Sequence, residues 1–251
     1  MNDVDDNAFF HRTEMILGEP TMRRLAEARV ILFGCGGVGS WAAEALIRSG
    51  LKRLTIVDPD VVAPSNINRQ RVASVSTIGR SKVEALKKIL YDINPAAEIV
   101  GICEAFTAES AESFRLEEYD YIIDAIDSLK HKAELIITAT STQATLISSM
   151  GAALRVDPMM VGHAEFWKVS GCRLAATLRR RFKRDGRFPQ KRFECVYSEE
   201  PPISTPTSSE TSADDMAGSR RMRDNGSCVL VTAAFGLAIA SLVVRDISSK
   251  K

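Results

Sequence analysis

A chain of 251 residues with 45% hydrophobic and 26% charged side chains is long enough for one large domain, or one domain with an appendage, and excludes fibrous and secreted classes. A formal net charge of +1 gives no whole-molecule field that would attract nucleic acid, so such a partner has to be read from local clusters. Five cysteines without a C-x-x-C pair, and an acidic N-terminus without the basic and apolar regions of a signal peptide, argue against a complete disulfide framework and against export, and fit a cytoplasmic protein.

In chain order, a helical leader is expected over residues 21–28. The apolar run 29–33 then reads as a buried parallel strand. It feeds the loop Gly34-Cys35-Gly36-Gly37-Val38-Gly39 and a helix over 40–49 with Trp41, Ala45 and Leu46 at helical spacing. This strand–loop–helix context is the one a phosphate-binding glycine motif needs. Gly34 allows the tight turn, Gly36 lets backbone approach a phosphate, Gly37 adds a second site without a side chain, and Gly39 lets helix pack on strand. Such a turn serves NAD, FAD or ATP about equally well.

The next strand, 54–57, ends in Asp58-Pro59-Asp60, where Asp58 lies roughly twenty residues past the loop and is placed to accept both hydroxyls of a ribose. Further elements are a helix over 81–92, a strand over 98–102, a helix over 108–116, a strand over 121–126, a helix over 129–140 and a strand over 145–149. This alternation specifies an α/β fold, a Rossmann-like, doubly wound and mainly parallel sheet with helices on both faces. Residues 1–155 are expected to form the nucleotide-binding core. Residues 156–251 form a smaller extension, with strand-like segments at 160–164 and 192–197, a helix over 171–184, a mobile loop over 198–226 rich in Ser, Thr and Pro, and an apolar helix over 228–244. Seventeen apolar residues with small side chains at Thr232, Gly236 and Ser241 suit a buried or subunit-interface helix better than a membrane span.

The polar cluster Ser65-Asn66-Ile67-Asn68-Arg69-Gln70 narrows the nucleotide. A nicotinamide dehydrogenase has no evident need for it. An enzyme that splits ATP between its α and β phosphates does, because charge grows on the bridging oxygen and fixed cations must meet it. Lys82, at a helix start, supplies another cation. Asp124 and Asp127 close the strand at 121–126 and are expected on one face, Asp127 where a Mg²⁺ carried by the triphosphate would sit. Between residues 179 and 192, Arg179, Arg180, Arg181, Lys183, Arg184, Arg187, Lys191 and Arg192 interleave with Phe182 and Phe188. That composition suits phosphate contacts with base stacking, and equally a solvated helix face anchored by two phenylalanines.

The glycine loop, Asp58, the pattern Asn66-x-x-Arg69-Gln70, Lys82 and Asp127 together resemble the ubiquitin-activating-like adenylating superfamily, from about residue 10 to residue 150. The resemblance implies that Asp58 binds the ATP ribose, that Asn66, Arg69 and Lys82 bind the phosphates, and that Asp127 holds Mg²⁺. Arg12, six residues before Gly18, matches an arginine that reaches the nucleotide of the opposite subunit, which implies a homodimer. The zinc-holding C-x-x-C pairs of sulfur-carrier activators are absent, so no zinc is expected. No cysteine matches a thioester motif. Cys172, Cys195 and Cys228 read as packing residues, although a sulfur-transfer or sulfur-acceptor protein stands as a further partner.

Ser148-Ser149-Met150-Gly151-Ala152-Ala153, Asp157-Pro158, the basic residues 178–181 and Val196-Tyr197-Ser198-Glu199-Glu200-Pro201-Pro202-Ile203 are similar to the tRNA threonylcarbamoyladenosine dehydratases over almost the whole chain. Membership implies a ligase-like enzyme. ATP adenylates the threonyl carboxylate of the modified adenosine beside the anticodon, and the carbamoyl group attacks the activated carbonyl, expels AMP and closes a ring. The alternative is activation of a small ubiquitin-like or sulfur-carrier protein. Before the basic helix, where that family tends to carry Asp-Pro, this chain has Gly171-Cys172-Arg173.

Overall fold

The computed structural model describes residues 6–204 and 226–250. Strands β1 (Arg29–Phe33), β2 (Arg53–Val57), β3 (Glu98–Ile102), β4 (Tyr121–Asp124), β5 (Thr145–Ser149), β6 (Val161–Glu165) and β7 (Glu194–Ser198) form one sheet in the order β3-β2-β1-β4-β5-β7-β6. Every neighbouring pair is parallel except β6 with β7. The chain runs outward from β1 through β2 and β3, then returns to place β4 on the other side of β1. The C-terminal ends of β1 and β4 therefore flank the point where the winding reverses, which is where open α/β sheets take their ligands.

Among the described residues seven helices surround the sheet: α1 (Asp6–Leu17), α2 (Glu19–Glu27), α3 (Gly39–Arg48), α4 (Lys82–Ile93), α5 (Leu129–Ser141), α6 (Arg173–Asp185) and α7 (Val229–Ser249). Alternate strand residues divide the core. Val30, Leu32, Leu54 and Ile56 pack with α3, α4 and α7, whereas Ile31, Phe33, Ile122 and Leu146 pack with α5 and α6. Local signals set the ends: Ser81 caps α4 by accepting the Glu84 N–H at 3.4 Å, and Gly186, at φ 63°, closes α6 in the left-handed conformation. One sheet thus includes strands from both sides of residue 155.

Two expectations change. The leader is two helices, because Gly18 turns the chain at φ 77° and Pro20 restarts it in the first turn of α2. The helix expected over 108–116 is a pair of short 3₁₀ turns, Ala111–Phe114 and Leu116–Glu118, with Arg115 between them at φ 45°. Thr107 and Ser110 bind each other's backbone N–H groups at 3.2 and 3.0 Å, and this local alternative competes with a helical ladder. Of the loop expected over 198–226, residues 205–225 lie outside the described residues.

Helix α7 is long and apolar enough to cross a membrane, yet Val231, Phe235, Ile239 and Val243 are fully buried on α3 and the sheet. Contact is closest at Gly236, where a Cβ would stand 2.6 Å from the Val38 carbonyl oxygen and 2.8 Å from the Ala42 nitrogen. On the opposite face, Lys132 and Asp124 form a fully buried ion pair at 2.7 Å. The Asp124 carboxylate also accepts the Ser148 hydroxyl at 2.7 Å and the Ile126 N–H at 3.1 Å, so β4, β5 and α5 are tied at one point. Downstream, the Glu200 carboxylate accepts the N–H groups of Val156 and Asp157 at 3.0 Å, and buried Arg155 donates to the Glu200 carbonyl at 3.0 Å.

Gly236→Val is expected to lower stability by about 1–3 kcal/mol through overpacking against backbone that has no room to retreat, read as a shift in urea midpoint. Lys132→Met leaves Asp124 buried without its partner and is expected to cost about 3–5 kcal/mol, measured the same way.

Candidate functional site

The site begins where β1 turns into α3. Gly34 sits at φ 95°, and a Cβ there would stand 2.6 Å from the Ala125 carbonyl oxygen. At Gly39 a Cβ would stand 1.8 Å from the Gly34 carbonyl oxygen, so only glycine lets α3 begin this close to the strand. Gly36 is different. The nearest atom to a Cβ there is Gln70 Nε2 at 3.8 Å, which leaves the backbone open to an incoming group. Val38, at the N-cap of α3, gives no side-chain cap, so first-turn N–H groups and the positive end of the helix dipole face that opening.

Asp58, at the end of β2, faces the loop from the side. Its Oδ2 accepts the Cys35 N–H at 2.6 Å and its Oδ1 the Asp60 N–H at 2.9 Å. Burial pushes the Asp58 carboxyl above the ordinary range, against the opposing pull of Lys82 and the two backbone donors. Lys82 is itself buried, 2.7 Å from Asp60 Oδ2 and 3.8 Å from Asp58 Oδ1. A single ammonium therefore serves two carboxylates at the end of β2. The Cys35 thiol is buried in the loop, and burial pushes its pKa far up.

The polar cluster folds over the other side of the loop. Buried Asn66 closes its own turn, its Oδ1 accepting the Ala63 N–H at 3.0 Å. Arg69 is half-buried, with its guanidinium donating to the Ser65 carbonyl at 2.8 Å and to Asn68 Oδ1 at 2.9 Å. Gln70 is buried, and its Oε1 has no hydrogen-bond partner among the described residues. Three contacts that the sequence reading missed hold this segment. Trp41 Nε1 donates to the Arg69 carbonyl at 3.1 Å, Arg71 pairs with Glu44 at 2.7 Å, and Asn68 Nδ2 donates to the Ser227 carbonyl at 2.7 Å, just before α7. Thr232 on α7 stands 3.2 Å from the Cβ position at Gly37. The small residues of the apolar run were the available signal for that contact.

Asp124 and Asp127 do not share a face. Asp124 is fully buried on Lys132, whereas Asp127, beyond the strand end, is exposed; residues three apart fall on opposite faces of an extended chain, and β4 in any case ends at Asp124. The described residues contain no group of three His, Cys, Asp or Glu side chains that would hold a metal by itself. Asp127 fits an ion carried chiefly by phosphate and water oxygens, with one protein carboxylate. Arg12 is exposed on α1, two residues from Phe10, whose ring lies 4.0 Å from the Cβ position at Gly50. That is the end of α3 remote from the glycine loop.

The basic region is less free than its composition suggested. Arg179 donates to the carbonyls of Phe166 and Val169 at 2.9 and 3.0 Å. Arg181 and Arg184 pair with Asp185 at 3.3 and 2.8 Å, Arg187 makes a two-pronged pair with Glu134 at 2.7 and 2.8 Å, and Lys191 donates to the Thr142 carbonyl. Arg180 is exposed and bonded to Thr177 Oγ1 at 3.2 Å. Lys183 and Arg192 are exposed, and Arg192 lines, with Lys191, an open cleft of about 250 Å³ beside the end of α5. Phe182 is buried in the core and takes no part in stacking on a ligand, while Phe188 is half-exposed. At the start of α6, Gly171 is left-handed and Cys172 is buried without a side-chain cap. Cys195 is buried too, and burial raises its pKa far above the ordinary range, whereas Cys228 is half-buried, its Sγ 3.5 Å from the Arg155 carbonyl.

The ThiF family pattern matches residues 10–251. The chain is 34% identical over 240 residues to tRNA threonylcarbamoyladenosine dehydratase of Bacillus subtilis, covering 95% of this chain and 94% of that one, and 32% identical to the Escherichia coli protein of the same name, covering 96% and 94%. The crystal structure of the E. coli dehydratase TcdA in complex with ATP superposes with a TM-score of 0.85 at 30% identity, over 98% of this chain and 97% of that one. Similarity to the E. coli molybdopterin-synthase adenylyltransferase, at 32%, extends over only 53% of this chain. The chain belongs to the ThiF family, and within it to the group of the tRNA threonylcarbamoyladenosine dehydratases.

Proposed function

We propose that this protein is an ATP-dependent tRNA dehydratase that adenylates the threonyl carboxylate of threonylcarbamoyladenosine beside the anticodon and drives its cyclisation. The observation that carries this reading is the convergence of three segments on one opening: the uncapped loop at Gly36, the ribose-facing acid Asp58 with Lys82, and the Asn66–Gln70 turn with Arg69. Dehydratase relatives match nearly the full chain, and the adenylyltransferase relative matches half, so activation of a sulfur-carrier protein has weaker support.

Residues 1–155 hold the nucleotide, and 156–251 hold RNA and subunit contacts. Asp58 orients the ribose, and the N–H groups at Gly36, Gly37 and Gly39 receive phosphate, while Gly34, whose own N–H donates to the Val57 carbonyl at 2.8 Å, makes the turn. Asn66 and Gln70 line the turn, and Asp60 holds Lys82 in place. Arg69 and Lys82 face the charge that grows on the α–β bridging oxygen as the substrate carboxylate oxygen bonds to the α-phosphorus and pyrophosphate leaves. Mg²⁺ on the triphosphate, held by Asp127, would offset the phosphate charge. The carbamoyl group then bonds to the acyl carbon and AMP departs with the carboxylate oxygen. Positioning and fixed charge do the work, with no enzyme nucleophile.

Exposed Met15 and Ile16, at 75% and 84%, beside Arg12 on α1 support a homodimer in which Arg12 completes the partner's site. Free thiols fit a reducing cytoplasm. A sulfur-transfer partner has least support: Cys35, Cys172 and Cys195 are buried, and neither the exposed Cys103 nor the half-buried Cys228 stands in a C-x-x-C pair.

AMP and pyrophosphate release is expected to require both ATP and tRNA that carries threonylcarbamoyladenosine; equal turnover on tRNA lacking that group would refute the substrate. Arg69→Ala is expected to lower kcat about 10²–10³-fold with the fold intact. A raised Asp58 pKa means that the carboxylate is protonated at a higher pH than the ordinary value of about 3.9. On acidification KM for ATP should accordingly rise before an ordinary aspartate would titrate. Asp58→Asn should raise KM at neutral pH and remove that limb, and a variant that keeps it would exclude Asp58 as its source.

A further inference from the structure

The end of the sheet opposite the glycine loop carries an aromatic pair that adenylation does not use. β6 runs antiparallel to β7 and pairs Glu165 with Glu194. The turn after β6 and the segment before β7 therefore both lie at the N-terminal edge of the parallel strands. There Trp167 and Phe188 are 41% and 49% exposed, with ring centroids 6.4 Å apart.

Their support is rigid. Phe166 beneath them is fully buried, edge-on to Trp167 at 5.1 Å and stacked on Phe193 at 4.9 Å. Glu165 Oε2 accepts the Trp167 N–H at 3.1 Å, which fixes the backbone under the exposed ring. Rings held in this way lose little freedom when a flat partner covers them.

Charge identifies the partner. Lys168 adjoins Trp167 in sequence. Lys183 lies one helical turn beyond Arg179, whose guanidinium binds the carbonyls of Phe166 and Val169, so it stands on the face of α6 turned toward the same segment. Both lysines are exposed and form no ion pair among the described residues. Arg184 and Arg187, by contrast, are engaged by Asp185 and Glu134. Exposed aromatic rings flanked by unpaired cations match an unpaired base and its phosphates, because every base has a face that stacks and every linkage carries a negative charge.

We propose that Trp167 and Phe188 form a stacking platform for an unpaired base of the bound RNA, with Lys168 and Lys183 on the adjoining phosphates. Strands of five residues separate it from the nucleotide edge of the same subunit by about 17 Å. The stacked base is therefore a second nucleotide of the tRNA and not the reacting adenosine. This inference rests on the tRNA-dependent reading of the adenylation site.

The test compares binding of a tRNA transcript to wild type and to the Trp167→Ala/Phe188→Ala double variant at fixed salt, together with KM for ATP. Expected are a loss of tRNA affinity of about 10- to 100-fold, an unchanged KM for ATP, and substantial recovery of affinity in Trp167→Phe with Phe188 intact. If the alanine variant does not fold, Trp167→Phe carries the test: tRNA should quench wild-type tryptophan fluorescence, and the substitution should abolish the part due to stacking. Wild-type affinity in a folded double variant, or quenching unchanged in Trp167→Phe, would overturn the platform alone. A wild-type protein that binds ATP but no tRNA would overturn the adenylation reading and the platform with it.

Discussion

Backbone must lie on backbone where β1 becomes α3, since a Cβ at residue 39 would overlap the carbonyl oxygen of Gly34. The rest of the nucleotide site depends on this constraint. Drawing α3 onto the strand end brings its uncapped N-terminus to the point where the sheet's winding reverses, and it aims the Cys35 N–H at Asp58. The same tightness recurs on the outer side, where α7 crosses α3 at Gly236 and Thr232 touches the loop at Gly37. A helix apolar enough for a membrane instead buttresses the phosphate turn. Asn68, bonded to the Ser227 carbonyl, joins the polar cluster to the entry of that helix.

Charge in the site is arranged around burial. Asp58 is held ionisable in a place that disfavours its charge, and Lys82 and two backbone donors offset part of that cost. Arg69 remains half-exposed, resting on a carbonyl and an amide oxygen without an ion pair among the described residues, so a phosphate has no carboxylate to displace from it. Lys82 differs in that its ammonium is shared by Asp58 and Asp60. The two cations thus divide the site, one beside Asp58 and Asp60 at the end of β2 and one beside the open loop. Deeper in, the Lys132–Asp124 pair fixes the segment that carries Asp127 without exposing a charge of its own.

The parallel strands and the glycine loop were legible because each follows from local sequence: continuous apolar runs, glycines at fixed offsets, and an acid after β2. What escaped was decided by contacts far apart in the chain. Thr107 and Ser110 redirect their segment into 3₁₀ turns through side-chain bonds that helical spacing does not reveal. Asp124 and Asp127 looked equivalent until Lys132 claimed the first. Phe182 and Phe188 occur in the same basic run, yet the first belongs to the core and the second to the surface, because α6 turns one face to the sheet and ends at Gly186 before Phe188. Trp167, far from that run in sequence, meets Phe188 only through the antiparallel return of β6 beside β7.

The central claim is that this site activates a carboxylate on tRNA. Nucleosides from tRNA incubated with the protein, with and without ATP, test it most directly by mass spectrometry. The account predicts that threonylcarbamoyladenosine loses the mass of one water only when both the protein and ATP are present. Unchanged threonylcarbamoyladenosine in the presence of active, ATP-consuming protein would contradict it.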